Sequence, residues 1–211
     1  MSKAAVYVVD DNEGITESLR WLIESVGYEV YTYNSANAFL EKYSDNGPSC
    51  LVLDVRMPEV TGPELQDLLG KKAVKIPIVF ITAHGDISVA VRAMKKGAVD
   101  FLPKPTNSQL LLEAINKAVR IDIERRQYEE NSAEIVEKYN TLTSREREVL
   151  QLVVRGKLTK TIADLLKLSQ RTVEMHRANI MRKMNANTQV ELTFMVLQNK
   201  LFVEEELGAT S

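Results

Sequence analysis

Five short apolar runs mark the first half of the chain: AVYVV (5–9), EVYTY (29–33), CLVLD (50–54), IVFIT (78–82) and VDFL (99–102). They are nearly continuous in apolar residues, as strands covered on both faces should be. Segments of helical spacing separate them: ITESLRWLIESVG, SANAFLEKY, GPELQDLLG and DISVAVRAMKKG, with NSQLLLEAINKAV after the last run. In the first of these, Leu19, Leu22, Ile23 and Val26 recur at helical intervals, and Gly27 stands where the helix would stop. Five strand–helix units predict an α/β domain, a doubly wound five-stranded parallel sheet with helices on both faces.

The pattern changes near residue 119. Ile121, Tyr128, Ile135 and Leu142 recur every seven residues, whereas their companions Arg125 and Ser132 are polar and only Tyr139 is apolar. This predicts a helical linker with a weak coiled-coil register; an extended, solvated helix fits the same residues. From 141 onward the period is helical throughout. TSRE (143–146) is a capping box before REREVLQLVVRG, which Gly156 ends. A second helix starts near Thr159, and a third follows Ser169 as N-cap. TQVE (188–191) is another capping box, opening VELTFMVLQ. Four short helices in roughly sixty residues have the size and spacing of a helix-turn-helix DNA-binding domain. The expected organisation is a first domain over 1–120, a linker over 121–140, an all-α four-helix domain over 141–203 and an acidic tail over 204–211.

Charge sharpens this division. The net charge of −2 is distributed as −3 over residues 1–118, −2 over 119–140, +6 over 141–203 and −3 over 204–211. A basic module after an acidic one points to a polyanion as its partner, although basic excess alone does not separate DNA from RNA. With 45% hydrophobic residues in 211, each domain can build a core. The single cysteine, Cys50, excludes an intrachain disulfide and sits in an apolar run, as a buried structural thiol would. The N-terminus has no signal-peptide pattern and no apolar stretch is long enough to span a bilayer, so the expectation is a soluble, cytoplasmic chain without membrane partners.

In an open α/β sheet, ligands bind outside the carboxyl ends of the strands. Asp10 and Asp11 follow the first run, Asp54 ends the third, Thr82 ends the fourth and Lys104 follows the fifth. With strand order 2-1-3-4-5 these residues converge on one crevice. Taken singly each has a plain reading: an N-cap for Asp10 or Asp11, a strand-end hydroxyl for Thr82, a core ring for Phe101, a solvated loop for Lys104 between Pro103 and Pro105. Together they have a chemical one. Three close carboxylates need a cation, and hard oxygen ligands without His or Cys favour Mg²⁺. A carboxylate beside that ion, faced by a hydroxyl and an ammonium, can accept a phosphoryl group.

VVDD (8–11), LVLDVRMPEVTG (51–62), ITAHGD (81–86) and FLPKP (101–105) resemble the receiver domain of bacterial two-component response regulators. The resemblance implies that Asp54 is the phospho-acceptor, and that Asp10, Asp11, Asp54 and the backbone carbonyl of Arg56 hold Mg²⁺ or Mn²⁺. It makes Thr82 the switch hydroxyl, Phe101 the switch aromatic and Lys104 the partner of the phosphoryl group, with a cis bond before Pro105. Arg56 stands where haloacid-dehalogenase-like phosphatases carry a second Asp, which disfavours turnover of external phosphate esters. Self-phosphorylation and slow self-hydrolysis are the only reactions expected. His84 is read as a polar loop residue.

Residues 141–200 resemble the LuxR-type helix-turn-helix, and the pairing resembles the FixJ/NarL class, its FixJ branch above all. At about 100° per residue, Val173, Ile180 and Met184 share one face of the third helix, which should pack inward. Arg171, Met175, Ala178 and Arg182 face the other way, flanked by Glu174 and Asn179. Arg171 suits guanine or a phosphate, Glu174 a cytosine amino group, and Met175 and Ala178 thymine methyls. Thr172 is a further candidate DNA contact, while Lys160, Arg177 and Lys183 suit phosphates. His176, on the shoulder of the inward face, is read as structural. Val190, Leu192, Val196 and Leu197 are candidate dimer contacts. The implied partners are a sensor histidine kinase, an operator of duplex DNA with two half-sites, RNA polymerase and a second copy of the chain. The resemblance implies that phosphorylation repacks the face formed by the fourth helix and fifth strand, Val91 included, which favours a dimer or releases the DNA-binding domain, and it makes activation the expected sign.

Overall fold

The computed structural model describes residues 4–83 and 87–202; His84 and the acidic tail 204–211 lie outside the described residues. The chain divides into two compact units, Met1–Gln127 and Tyr128–Ser211.

The first unit alternates β1 (Ala5–Val9), α1 (Glu13–Ser25), β2 (Glu29–Tyr33), α2 (Ala36–Lys42), β3 (Ser49–Asp54), α3 (Gly62–Lys71), β4 (Ile78–Thr82), α4 (Ile87–Lys95), β5 (Asp100–Pro103) and the start of α5 (Ser108–Asn140). The strands form one parallel sheet in the order β2-β1-β3-β4-β5, as the crevice required. Period-two alternation sends each strand's residues to two separate apolar layers. Val8, Val52 and Ile81 pack with Leu19 and Ile23 of α1 and Leu111 and Ile115 of α5. Tyr7, Leu53 and Phe80 pack on the other side with Phe39 of α2, Leu65 of α3 and Ala93 of α4. Cys50 is fully buried, and its thiol is pushed up by burial, as an inert core group should be.

Local chemistry starts and stops these helices. Asn12, not Asp10 or Asp11, caps α1: its side chain accepts the N–H of Ile15. That removes the plain reading of the two aspartates. Val26 caps the end of α1, and Gly27 takes φ +95°. Thr61 and Glu64 form a capping box at α3 that the sequence reading did not single out.

α5 is one helix of 33 residues that runs on through the stretch read as a helical linker. No Gly or Pro falls within 119–140, so nothing interrupts it. Its heptad is not a single exposed stripe. Ile121 and Tyr128 are exposed, but Ile135 packs on the core of the second unit and Leu142 belongs to that core.

The second unit adds α6 (Ser144–Val154), α7 (Thr159–Leu166), α8 (Gln170–Met184) and α9 (Gln189–Gln198). The Thr143–Glu146 capping box opens α6, and Gly156 follows its end with φ +72°. At α9 the Thr188 side chain accepts the N–H of Glu191, but the Glu191 carboxylate takes the N–H of Asn187 instead of closing a box. Val173, Ile180 and Met184 are buried together with Val149, Leu150 and Ile162, so α8 turns inward the face its spacing predicts.

Candidate functional site

The carboxyl ends of β1, β3, β4 and β5 bring the predicted residues together. Asp10, Asp54 and Thr82 are buried and Asp11 is exposed. One carboxylate oxygen from each of Asp10, Asp11 and Asp54 lies within 4.8 Å of the others, a set of hard oxygen donors that fits a divalent cation. Lys104 Nζ sits 2.6 Å from Asp10 Oδ2 and 2.6 Å from Asp54 Oδ1. The Lys104–Pro105 peptide bond is cis, and the backbone N–H of Lys104 donates to the carbonyl of Thr82 at 2.7 Å. The N–H of Arg56 donates to Asp54 Oδ2 at 2.9 Å, which puts the Arg56 backbone against the acid. The ring of Phe101 is half-buried, 5.9 Å from that of Phe80.

Burial sets the electrostatics. It raises the Asp54 carboxyl above the ordinary carboxylate value, Asp10 adds to the rise, and Lys104 offsets it only in part. Burial alone would lower the Lys104 ammonium, but its hydrogen bonds to Asp10 and Asp54 outweigh that and hold it above the usual lysine value. A carboxylate less stabilised than one in water is a more basic nucleophile.

Gly62 closes the segment LVLDVRMPEVTG, and the structure gives it a role. A Cβ there would lie 2.3 Å from the carbonyl oxygen of Asp54 and 3.0 Å from the Phe80 ring. The α3 start can therefore approach the end of β3 only as glycine.

On α8, Arg171, Glu174, Met175, Ala178 and Arg182 are exposed, as is Lys160 on α7. Three other candidates are engaged within the unit. Thr172 shares a hydrogen bond with Ser169 at the helix cap, and Arg177 donates to Gln189. Lys183 holds the buried Glu146 at 2.7 Å and the carbonyl of Thr141, a tie within the unit. His176 is half-buried and its Nδ1 is out of water without a partner among the described residues.

Two family models account for most of the chain: the response regulator receiver domain matches residues 6–116, and the bacterial regulatory proteins of the luxR family match 140–196. Response regulator protein TodT of Pseudomonas putida is 42% identical over 88% of this chain and 82% of its own length. Transcriptional regulatory protein FixJ of Rhizobium meliloti is 41% identical over 93% of this chain and 97% of its own. Among solved structures, the response regulator StyR superposes with a TM-score of 0.83 at 46% identity, covering 93% of this chain and all of that one. The chain is a transcriptional response regulator of the two-component systems.

A response regulator of this build takes its input through the receiver and acts through the LuxR-type DNA-binding domain. A kinase partner and DNA binding follow from those two domains. No described helix is long and apolar enough to cross a membrane. The exposed apolar residues of this regulator fall partly where the sequence placed them. Val91 is open to solvent, with Ile87 and Met94 beside it on α4. On α9, Val190 and Leu197 are exposed, but Leu192 and Val196 are buried in the unit's own core and are not available for dimer contacts. Phe194, 63% exposed, stands in the exposed row instead. The helical period could have shown this, since Leu192 and Val196 are four apart and share a face.

Proposed function

We propose that Asp54 is the phospho-acceptor of this response regulator, with Asp10, Asp11 and the Arg56 carbonyl completing a site for Mg²⁺ or Mn²⁺. The carrying observation is the convergence of Asp54 with two further carboxylates and the Lys104 ammonium at one crevice. When bound, the metal screens these carboxylates from one another and from an incoming phosphoryl group. An Asp54 oxygen attacks the phosphorus of a phosphohistidine on the sensor kinase. The P–N bond breaks, its electron pair returns to the imidazole, and an acyl phosphate is left on Asp54. Lys104 then passes a hydrogen bond from the carboxylate to a phosphoryl oxygen, and the Thr82 hydroxyl supplies another. Attack of water on phosphorus reverses the state and releases phosphate. Incubation with labelled acetyl phosphate tests this: the wild type takes up label with Mg²⁺, and Asp54→Asn takes up none. Undiminished labelling of the variant would refute the assignment.

The output follows from the second unit. Movement of Thr82 toward the phosphoryl group opens space that the Phe101 ring fills, and the α4–β5 face with Val91 becomes a dimer contact. Two copies then place two α8 helices on two half-sites of duplex DNA. Arg171, Glu174, Met175, Ala178 and Arg182 face the major groove, while Lys160, Thr172 and Arg177 lie toward the phosphates. The working limits are 1–120 for the receiver, 121–140 for the linker and 141–203 for the DNA-binding domain. Cytoplasmic activation of transcription through RNA polymerase is the output this reading favours.

A further inference from the structure

Among the helices around the sheet, α4 is the most lightly anchored. Of its nine residues only Ala93 is buried, whereas the shorter α2 buries two and α3 buries four. Its first residue, Ile87, is 79% exposed. Grooves of about 350 and about 520 Å³ open beside it, and Gln66 of α3 lines each of them. Apolar burial alone therefore holds this helix weakly.

What α4 has in addition is a polar tie to α3. Gln66 is buried, and its Nε2 donates to the carbonyl of Ala93, in the last turn of α4, at 3.2 Å. Just beyond the helix Lys96 pairs with Asp67 of α3, but both groups are about half-exposed, and such pairs contribute little. The buried bond is the firmer of the two. It is also a poor stabiliser of the fold. The Ala93 carbonyl already accepts the N–H groups of Lys96 and Ala98, so it does not need Gln66. Gln66 Oε1, meanwhile, is out of water without a partner among the described residues. The penalty for a buried acceptor of that kind equals or exceeds what one neutral hydrogen bond returns. A leucine, such as α3 carries at Leu65 and Leu69, would be buried there without it.

We infer that Gln66 is a positioning residue of the switch. Its bond to Ala93 holds the C-terminal end of α4 in the place it has while Lys104 is engaged by Asp54, and the helix shifts by releasing that bond. One neutral hydrogen bond biases a two-state helix severalfold, and a phosphoryl group can still reverse the bias. The inference rests on the reading of Asp54 as the phospho-acceptor that controls DNA binding.

Amide hydrogen exchange on the full chain tests the tie without any phosphodonor. In Gln66→Leu the amides of residues 92–95 should exchange about three- to tenfold faster than in wild type. Those of β3 and β4 should be no faster, and the unfolding temperature reported by Trp21 should stay level or rise. The second readout is the response to phosphorylation. The variant should take label on Asp54 like wild type, bind duplex DNA more tightly before labelling, and gain correspondingly less from it. Unchanged exchange in α4 would overturn the inference. Faster exchange in α4 and the sheet alike, with a lower unfolding temperature, would also overturn it, since Gln66 would then only pack. So would a gain on phosphorylation as large as that of wild type. A wild type that is labelled yet gains no affinity would instead refute the control of DNA binding by Asp54, and the exchange rates would still decide whether the tie exists.

Discussion

At the site of Asp54, one ammonium group serves two buried carboxylates. Lys104 lies 2.6 Å from an oxygen of each, so the metal-free protein carries its own counter-charge. It does not neutralise the cost fully, since the Asp54 carboxyl remains above its ordinary value. A folded-state pKa above the unfolded one means that the folded protein holds its proton more tightly. Ionised Asp54 therefore costs stability at neutral pH, and that cost fades as the pH falls through the carboxylate range. Without metal, Asp54→Asn should thus unfold at a higher temperature than wild type at pH 7, and the gap should close in acid. Trp21, the only tryptophan and a residue of α1, reports the receiver's transition by fluorescence. A variant less stable than wild type at neutral pH would mean that Lys104 more than offsets burial.

Among the elements, sequence legibility followed the reach of the interaction. β1, β2 and β4 fall on the predicted residues: β1 and β4 as buried apolar runs, the edge strand β2 through its β-branched and aromatic residues. The inward face of α8 was legible from its period alone. What escaped were side chains whose partners are distant in the chain. Asp122, in the stretch expected to be a helical linker and not singled out there, is fully buried, accepts the N–H of Ser49 and is held by Arg125 and Arg126. Only the arginines, three and four residues on, hinted at this. Lys183 read as a DNA contact for the same reason, since nothing local reveals Glu146. Burial would raise that carboxyl, but Lys183 and the cap of Thr143 outweigh it and pull it below the ordinary value. Its contribution is full above the unfolded-state pKa and is lost as the pH falls through the lower, folded one. Lys183→Met should cost the DNA-binding unit about 1–2 kcal/mol at pH 7. The loss should show in urea unfolding followed by far-UV circular dichroism, shrink in acid and leave the Trp21 transition unmoved.

For the whole molecule, the informative quantity is the coupling between a phosphoryl site in one unit and a DNA-reading face in the other. The residues proposed for each end permit the two to be broken separately. Lys104→Ala removes the group that would recognise a phosphoryl oxygen but leaves the Asp54 nucleophile and the carboxylate cluster in place. It should accept label from acetyl phosphate and fail to gain affinity for duplex DNA. Arg171→Ala changes only an exposed residue of α8. It should be labelled like wild type, gain affinity on phosphorylation by the same factor, and bind roughly tenfold more weakly in both states if the arginine reads a base. A phosphate-bound Arg171 would instead lower the slope of binding against salt by about one. Fluorescence anisotropy on labelled duplexes over a salt series, with and without phosphodonor, reads all of these at once. Should Lys104→Ala still gain affinity on phosphorylation, the signal leaves the site without its lysine, and Thr82 with Phe101 would have to carry it alone. Should Arg171→Ala change the phosphorylation-dependent factor itself, α8 is part of the switch as well as its output.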